Sequence, residues 1–333
     1  MLIVKLSIAI GGDKSIKEYV SLAKLVEQLG FHTLSIYDDL FFKPAWPILS
    51  IVAANTSTIR VGPAVVNPYL IHPAITAGNI ALLDEISGGR AYLGIGKGAF
   101  LDFVGVETPT PITAVRETID IVQRLLDGSM KGYKGDFFNI DESASFRWKP
   151  VKPKVPIVIG TWGQRMAELA GKVADEVKAS PLWDAGYATQ LLTYIHKGAA
   201  GAGRDINDVS LCLGVLTSVS EDEAEAREYA RRALAIYLPH LSPMTEAVGV
   251  SSDEVNKVSA YSSVGDYAKA ARYISDRTLE NFALFGTPGL LCRKIQKMLD
   301  QVPVDRIEFG TPHGPDSITS INLLGRKVLP WFS

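Results

Sequence analysis

The chain alternates eight times between a short β-rich run and a longer helical pattern, and this rhythm constrains its fold more than any other feature. The strand-like runs are residues 4–10, 33–37, 59–66, 91–96, 156–160, 175–179, 209–219 and 306–309. Between them, residues 16–29 carry Tyr19, Val20, Ala23, Val26 and Leu29 at helical spacing, with Gly30 as the stop. Pro73 stands in the first turn of another helix, and Glu221-Asp222-Glu223 opens a third, where acidic residues suit the helix dipole. Strands linked by helices form either an open doubly wound sheet or a closed barrel. An open sheet usually has fewer strands and a glycine-rich dinucleotide fingerprint near its start, and none stands there. The pattern predicts an α/β fold: a (β/α)8 TIM barrel with mouth insertions, as one domain over residues 1–333. A plain barrel needs roughly 250 residues. Two stretches break the rhythm and account for the excess. Residues 128–153, with glycines, aromatics and lysines, read as a small hairpin or excursion. Residues 238–281 read as a helical insertion beside the mouth.

Hydrophobic residues make up 47% of the chain, enough for a large core. The net charge is -2 and no basic stripe is visible, so the expected partner is a small-molecule substrate and not a nucleic acid. Cys212 and Cys292 lie far apart in apolar contexts and read as reduced core thiols. No apolar run approaches the ~18 residues that span a bilayer. The first residues lack the order of a signal peptide. The expectation is a cytoplasmic protein with no membrane partner. No His, Cys, Asp or Glu cluster has metal-ligand spacing, so no catalytic metal is expected.

Ligands of such barrels bind at the C-terminal ends of the strands. That rule selects Gly11-Gly12, Asp38 and Asp39, Ala64 to Asn67, Gly96-Lys97-Gly98, Gly160-Thr161-Trp162-Gly163, and Thr311, His313 and Asp316. Gly160 to Arg165, with Gln164, joins a strand to a helix. Its small residues and free N–H groups suit an anion, and a tight glycine-capped turn is the plain alternative. Gly94 to Gly98 lacks the spacing of a dinucleotide loop, and reads as a glycine-lined floor for a flat ring. Asp38-Asp39 read as acid/base groups, or as a solvated turn or helix cap. His72 precedes Pro73 and is a cap or a catalytic group. His32, His196 and His240 are expected outside the mouth.

At these residues the chain resembles the luciferase-like flavin and deazaflavin oxidoreductases, and within them the coenzyme F420-dependent methylenetetrahydromethanopterin reductases. The segments that carry the resemblance are Val61-Gly62-Pro63-Ala64-Val65-Val66-Asn67-Pro68-Tyr69, His72-Pro73-Ala74-Ile75-Thr76-Ala77, and Leu82-Leu83-Asp84-Glu85-Ile86-Ser87-Gly88-Gly89-Arg90-Ala91. They continue with residues 93–98, 156–163, Gly286-Thr287-Pro288, Gly314-Pro315-Asp316 and Leu323-Leu324-Gly325. The resemblance implies that the loop after the fifth strand holds the cofactor phosphate. It implies a non-proline cis peptide at Ala64–Val65 behind the ring. It also places Asp38 at the aspartate that ends the second strand, and Gly96, Lys97 and Gly98 beside the deazaflavin.

Departures limit the transfer. A reductase of this kind carries a glutamate on its first strand, where this chain has Leu6-Ser7-Ile8-Ala9-Ile10. Related sugar-phosphate and alcohol dehydrogenases carry a histidine where Asp39 stands. The implied activity is hydride transfer between F420 and a small organic substrate, such as a methylene-tetrahydropterin, with Asp38 or Asp39 handling any proton. An FMN-dependent luciferase-like monooxygenase and a non-catalytic cofactor-binding barrel are the alternatives. The family likeness implies a homodimer or homotetramer.

Overall fold

The computed structural model describes residues 4–332. Its elements are β1 (Lys5–Ile10), α1 (Ile16–Gln28), β2 (Thr33–Ile36), α2 (Ala45–Ala54), β3 (Arg60–Pro63), α3 (Pro73–Ser87), β4 (Leu93–Gly96), α4 (Pro111–Leu126), β5 (Tyr133–Lys134) and β6 (Asn139–Ile140). The chain continues with β7 (Ile157–Gly160), α5 (Gln164–Val173), β8 (Glu176–Ala179), α6 (Ala185–Gly201), β9 (Ser210–Val219) and α7 (Glu223–Tyr237). It ends with α8 (Met244–Ala247), α9 (Ser252–Ser262), α10 (Tyr267–Ala271), α11 (Asp276–Phe282), β10 (Ala283–Gly286), α12 (Pro288–Leu299), β11 (Arg306–His313) and α13 (Ser317–Leu323).

Parallel strands pair in the order β3-β2-β1-β11-β9-β8-β7-β4. Bridges from Val61 to Ala91 and from Val66 to Ile95 join β3 to β4 and close the eight-stranded barrel. Between those bridges the chain runs five residues on the β3 side against four on the β4 side. The surplus residue is a bulge next to Pro63, which has no N–H for the ladder. Several helices begin where a side chain takes up their first N–H groups. Ser15 and Glu18 form a capping box on α1, and Asp184, Asp222, Thr287 and Asp316 cap α6, α7, α12 and α13.

The 128–153 excursion is the expected hairpin, β5 against β6. Glu117, fully buried on α4, pins it by accepting from the N–H groups of Asp136, Phe137 and Phe138 at 2.8, 3.0 and 3.0 Å. The 238–281 insertion is helical, and its Leu238, Met244, Val258 and Ala271 pack into the same hydrophobic cluster as the barrel.

Two expectations need correction. β10 is a ninth parallel strand that the rhythm does not reveal. The ten-residue β9 is long enough to pair β8 over its first part and β10 over Leu216–Val219. The second concerns residues 318–329, whose pattern predicts one helix: α13 instead ends at Leu323 and gives way to a π turn and a 3-10 turn. Pro330 cannot continue an α-helical ladder. Cys212 and Cys292 are both free and buried. No helix among the described residues is long and apolar enough to cross a membrane.

Candidate active site

The barrel interior beneath the mouth is polar, because several strands turn charged residues inward. Arg306 on β11 pairs with Glu176 on β8 and reaches Glu308 at 2.7 Å. Glu308 also pairs with Lys178 of β8 and accepts from Ser35 at 2.6 Å. Ser35 meets the Tyr92 hydroxyl at 2.7 Å, and Arg60 lies 4.4 Å over the Tyr92 ring. Burial opposes ionisation of Glu308, but Lys178 and Arg306 outweigh it and hold its carboxyl down to about 2. Above this layer the Lys178 ammonium lies 5.3 Å from the centre of the Tyr37 ring. Neither Lys178 nor Glu308 is among the residues expected from the sequence. The available signal was a Lys and a Glu inside strands that read as wholly buried.

The two adjacent carboxylates divide their work. Asp38 accepts from the Ala45 N–H at 3.0 Å and so caps α2, whose own N-cap, Pro44, offers no side-chain acceptor. Burial raises its pKa. Asp39 faces the Tyr237 hydroxyl at the end of α7. Burial, then repulsion from Asp38, push its carboxyl up to about 6, against the pull of Lys178 and Tyr237.

Next to them, at the end of β3, the Ala64–Val65 peptide is cis, and the Ala64 N–H donates to the Ile36 carbonyl of β2 at 2.8 Å. The Val65 side chain lies over two glycines: a Cβ added to Gly96 or Gly160 would stand 2.9 Å from a Val65 methyl. Gly96 and Gly160 therefore make room for Val65 of the bulge, and the expected bare floor for a ring is filled by this chain's own residue. A Cβ on Gly98 would press on Asn67 at 2.8 Å. Asn67 accepts from the Tyr69 and Leu70 N–H groups at 3.0 Å each and turns the chain after buried Val66. Lys97 is exposed.

The loop from β7 to α5 matches the geometry of an anion cradle over part of its length. The Thr161 N–H is committed to the Lys178 carbonyl, and the Gly163 N–H to the Thr161 hydroxyl at 3.0 Å. The Trp162 carbonyl accepts from the Tyr187 hydroxyl at 2.6 Å. No side chain caps α5, and the N–H groups of Gln164, Arg165 and Met166 have no acceptor among the described residues. The exposed Gln164 side chain bonds Glu168, and Arg165 projects to solvent.

Of the remaining candidates, two cap helices and one is buried. His72 caps α3 through the Ala74 N–H, and Asp316 caps α13. His313 is fully buried, and burial pushes its imidazole down to about 4. His240 requires a correction: it was expected outside the mouth, but its ring lies 5.1 Å from that of Phe100, in the loop after β4. It stands in the 3-10 turn Leu238–His240, directly after α7, where the 238–281 insertion begins. Arg90, in one of the segments that carry the resemblance, works between α2 and β3. Its guanidinium binds the carbonyls of Ala53, Thr56 and Ile59 where α2 ends and β3 begins.

A family model described as luciferase-like monooxygenase matches residues 2–306. The 5,10-methylenetetrahydromethanopterin reductase of Archaeoglobus fulgidus is 33% identical, with 98% of this chain and 99% of that protein covered. The reductase of the same name from Methanopyrus kandleri is 29% identical, with 93% of each covered. The solved structure of a coenzyme F420-dependent tetrahydromethanopterin reductase from Methanopyrus kandleri superposes with a TM-score of 0.91 at 28% identity, covering 99% of both chains. Barrel, bulge and full-length similarity agree: the chain belongs to the luciferase-like monooxygenase family.

Proposed function

We propose that this protein is a coenzyme F420-dependent oxidoreductase that moves a hydride between the deazaflavin and a methylene-tetrahydropterin-like substrate. The observation that carries the reading is the similarity, over nearly the whole chain, to methylenetetrahydromethanopterin reductases. The donor set fits such a coenzyme: three N–H groups without acceptors, beside small residues and Arg165, suit a phosphate. When bound, the coenzyme supplies the hydride chemistry.

The chain supplies position and a proton. Gly160, Thr161, Trp162, Gly163, Gln164 and Arg165 form the phosphate end of the site. Ala64, Val65, Val66, Asn67, Lys97 and Gly98 form the wall for the ring, with Gly96 making room beneath Val65. Asp38 fixes the start of α2, and so the direction in which Asp39 faces. Reducing a methylene that bridges two nitrogens to an N-methyl group breaks one C–N bond, and the departing nitrogen takes up a proton. Asp39 retains a proton up to about pH 6, with the Tyr237 hydroxyl hydrogen-bonded to it. The same proposal takes the chain as one cytoplasmic domain working as a homodimer or tetramer. Ile75, Leu82 and Ile86 leave apolar side chains exposed on α3, a surface suited to a second copy.

Anaerobic titration with F420 and with FMN, followed by addition of methylenetetrahydromethanopterin to the protein with reduced F420, tests the reading. F420 is expected to bind at least about tenfold more tightly than FMN and to be oxidised when the pterin is added. Tighter FMN binding would move the chain to the flavin-dependent members of the family. F420 binding without turnover on any pterin would leave a cofactor-binding barrel.

The phosphate end has its own test. Gly163 has φ -90 and ψ 142, the extended conformation that a following proline requires. Proline is also welcome at the first helical position. Gln164→Pro therefore deletes one free N–H without breaking α5, while Gln164→Ala keeps it. The proline variant is expected to bind F420 about tenfold or more weakly, and the alanine variant to stay near wild type. Equal affinities, measured by fluorescence titration, would exclude α5 as the phosphate anchor.

A further inference from the structure

One group of side chains at the mouth has no place in the reading so far. Phe41, in the loop after β2, is 73% exposed, and Phe103, after β4, is 58% exposed. Their rings face each other with centroids 6.4 Å apart and planes 29° apart. Behind them Phe100 contacts Phe103 at 5.6 Å, Tyr237 at 6.4 Å and His240 at 5.1 Å. Phe41 and Phe100 both have left-handed backbone, φ 67 and φ 61. Bulky residues rarely adopt it, and such positions gather at functional sites. Leaving two large rings in water also forgoes their burial, which a bound partner would restore.

We infer that Phe41 and Phe103 form a clamp for the flat conjugated ring of the substrate, backed by Phe100 and His240; this rests on the functional reading above. A flat ring in contact on both faces needs ~3.5 Å on each side, or about 7 Å between its neighbours. The gap already lies close to that, and exposed Phe41 has room to swing outward. Aromatic walls select a planar π system over an aliphatic one by offset stacking. The occupant is the substrate and not the coenzyme because the clamp opens beside the proton donor: Tyr237 contacts both Phe100 of the clamp and the Asp39 carboxyl. The phosphate end, at the start of α5, follows β7, which neighbours β4, whereas Phe41 follows β2, three strands from β7.

The test is calorimetric binding of tetrahydromethanopterin and, separately, of F420 to wild type, Phe41→Ala, Phe103→Ala, Phe103→Leu and Phe103→Tyr. The exposed positions make misfolding of the variants unimportant, and circular dichroism checks it. Each alanine variant is expected to bind the pterin about five- to tenfold more weakly, with F420 affinity unchanged. Tyrosine is expected to retain pterin affinity and leucine to lose it. Unchanged pterin binding in the alanine variants overturns the clamp. A loss confined to F420 overturns it by assigning the rings to the coenzyme. Equal binding by the leucine variant overturns the stacking basis. A wild type that binds F420 but no pterin removes the clamp and the substrate assignment while leaving the coenzyme reading intact. A wild type that binds no F420 removes the functional reading and the clamp with it.

Discussion

Asparagine in place of Asp39 is expected to make the protein more stable at neutral pH and the enzyme slower. Burial and Asp38 raise the Asp39 carboxyl from 3.8 to about 6 in the folded chain. Below about pH 4 it is protonated in both states and costs nothing. Between about pH 4 and pH 6 the folded state binds the extra proton, so stability falls as pH rises through this window. Above it the folded protein carries the full penalty of a half-buried carboxylate, on the order of 2 kcal/mol once its partial exposure is allowed for. Asparagine has the same shape and no charge, so the penalty disappears and the stability curve flattens between about pH 4 and pH 6. Loss of a positioned acid costs roughly a hundredfold or more in turnover. In wild type the reduction rate should fall as pH rises past about 6, and the variant should lack that limb. Thermal melts and rate profiles across this range decide the matter. A variant that is less stable at pH 7, or that keeps the wild-type profile, rules out Asp39 as the proton carrier.

A single residue that lowers stability and is proposed to carry the proton is a pairing no linear reading could assign. The alternation of strands and helices was legible because each element presents a local period. Pro63 is the local sign of the bulge, because it cannot donate to a ladder. The adjacent acids were visible as a pair, but their different duties were not. Asp38 turns to an N–H seven residues on, whereas Asp39 meets Tyr237 at the end of a helix nearly two hundred residues away. β10 escaped notice for a related reason. Ala283–Gly286 is too short to show a period, and it forms only because β9 is long enough to offer a second partner. His240 was misplaced because its partner Phe100 stands 140 residues earlier in the chain, and nothing local to the end of α7 announces that contact.

The charged layer beneath the mouth is the clearest case of long-range assembly, and the largest stability loss is expected there. Glu308→Gln should destabilise the protein by about 3–5 kcal/mol, because it leaves buried cations without their counter-charge. Glu308 is fully buried and bonded to Lys178, Arg306 and Ser35 together. Arg306 retains Glu176, but Lys178 has no second carboxylate among the described residues at salt-bridge distance. An unpaired ammonium there also draws Asp39 toward its ionised form, since Lys178 already acts on Asp39 in that sense. The fall in reduction rate with pH should therefore move below about 6 in the variant, toward the ordinary carboxylate range. The two effects separate charge from packing. Replacing both members, as in Glu308→Gln with Lys178→Met, removes the stranded cation and should recover most of the lost stability. Neutral or apolar replacements of a buried pair often cost little. Chemical denaturation of the two single variants and the double variant completes the cycle. If Glu308→Gln alone unfolds at the wild-type midpoint, the layer is not held by charge. If the double variant is no more stable than the single, the loss belongs to shape and not to the isolated ammonium.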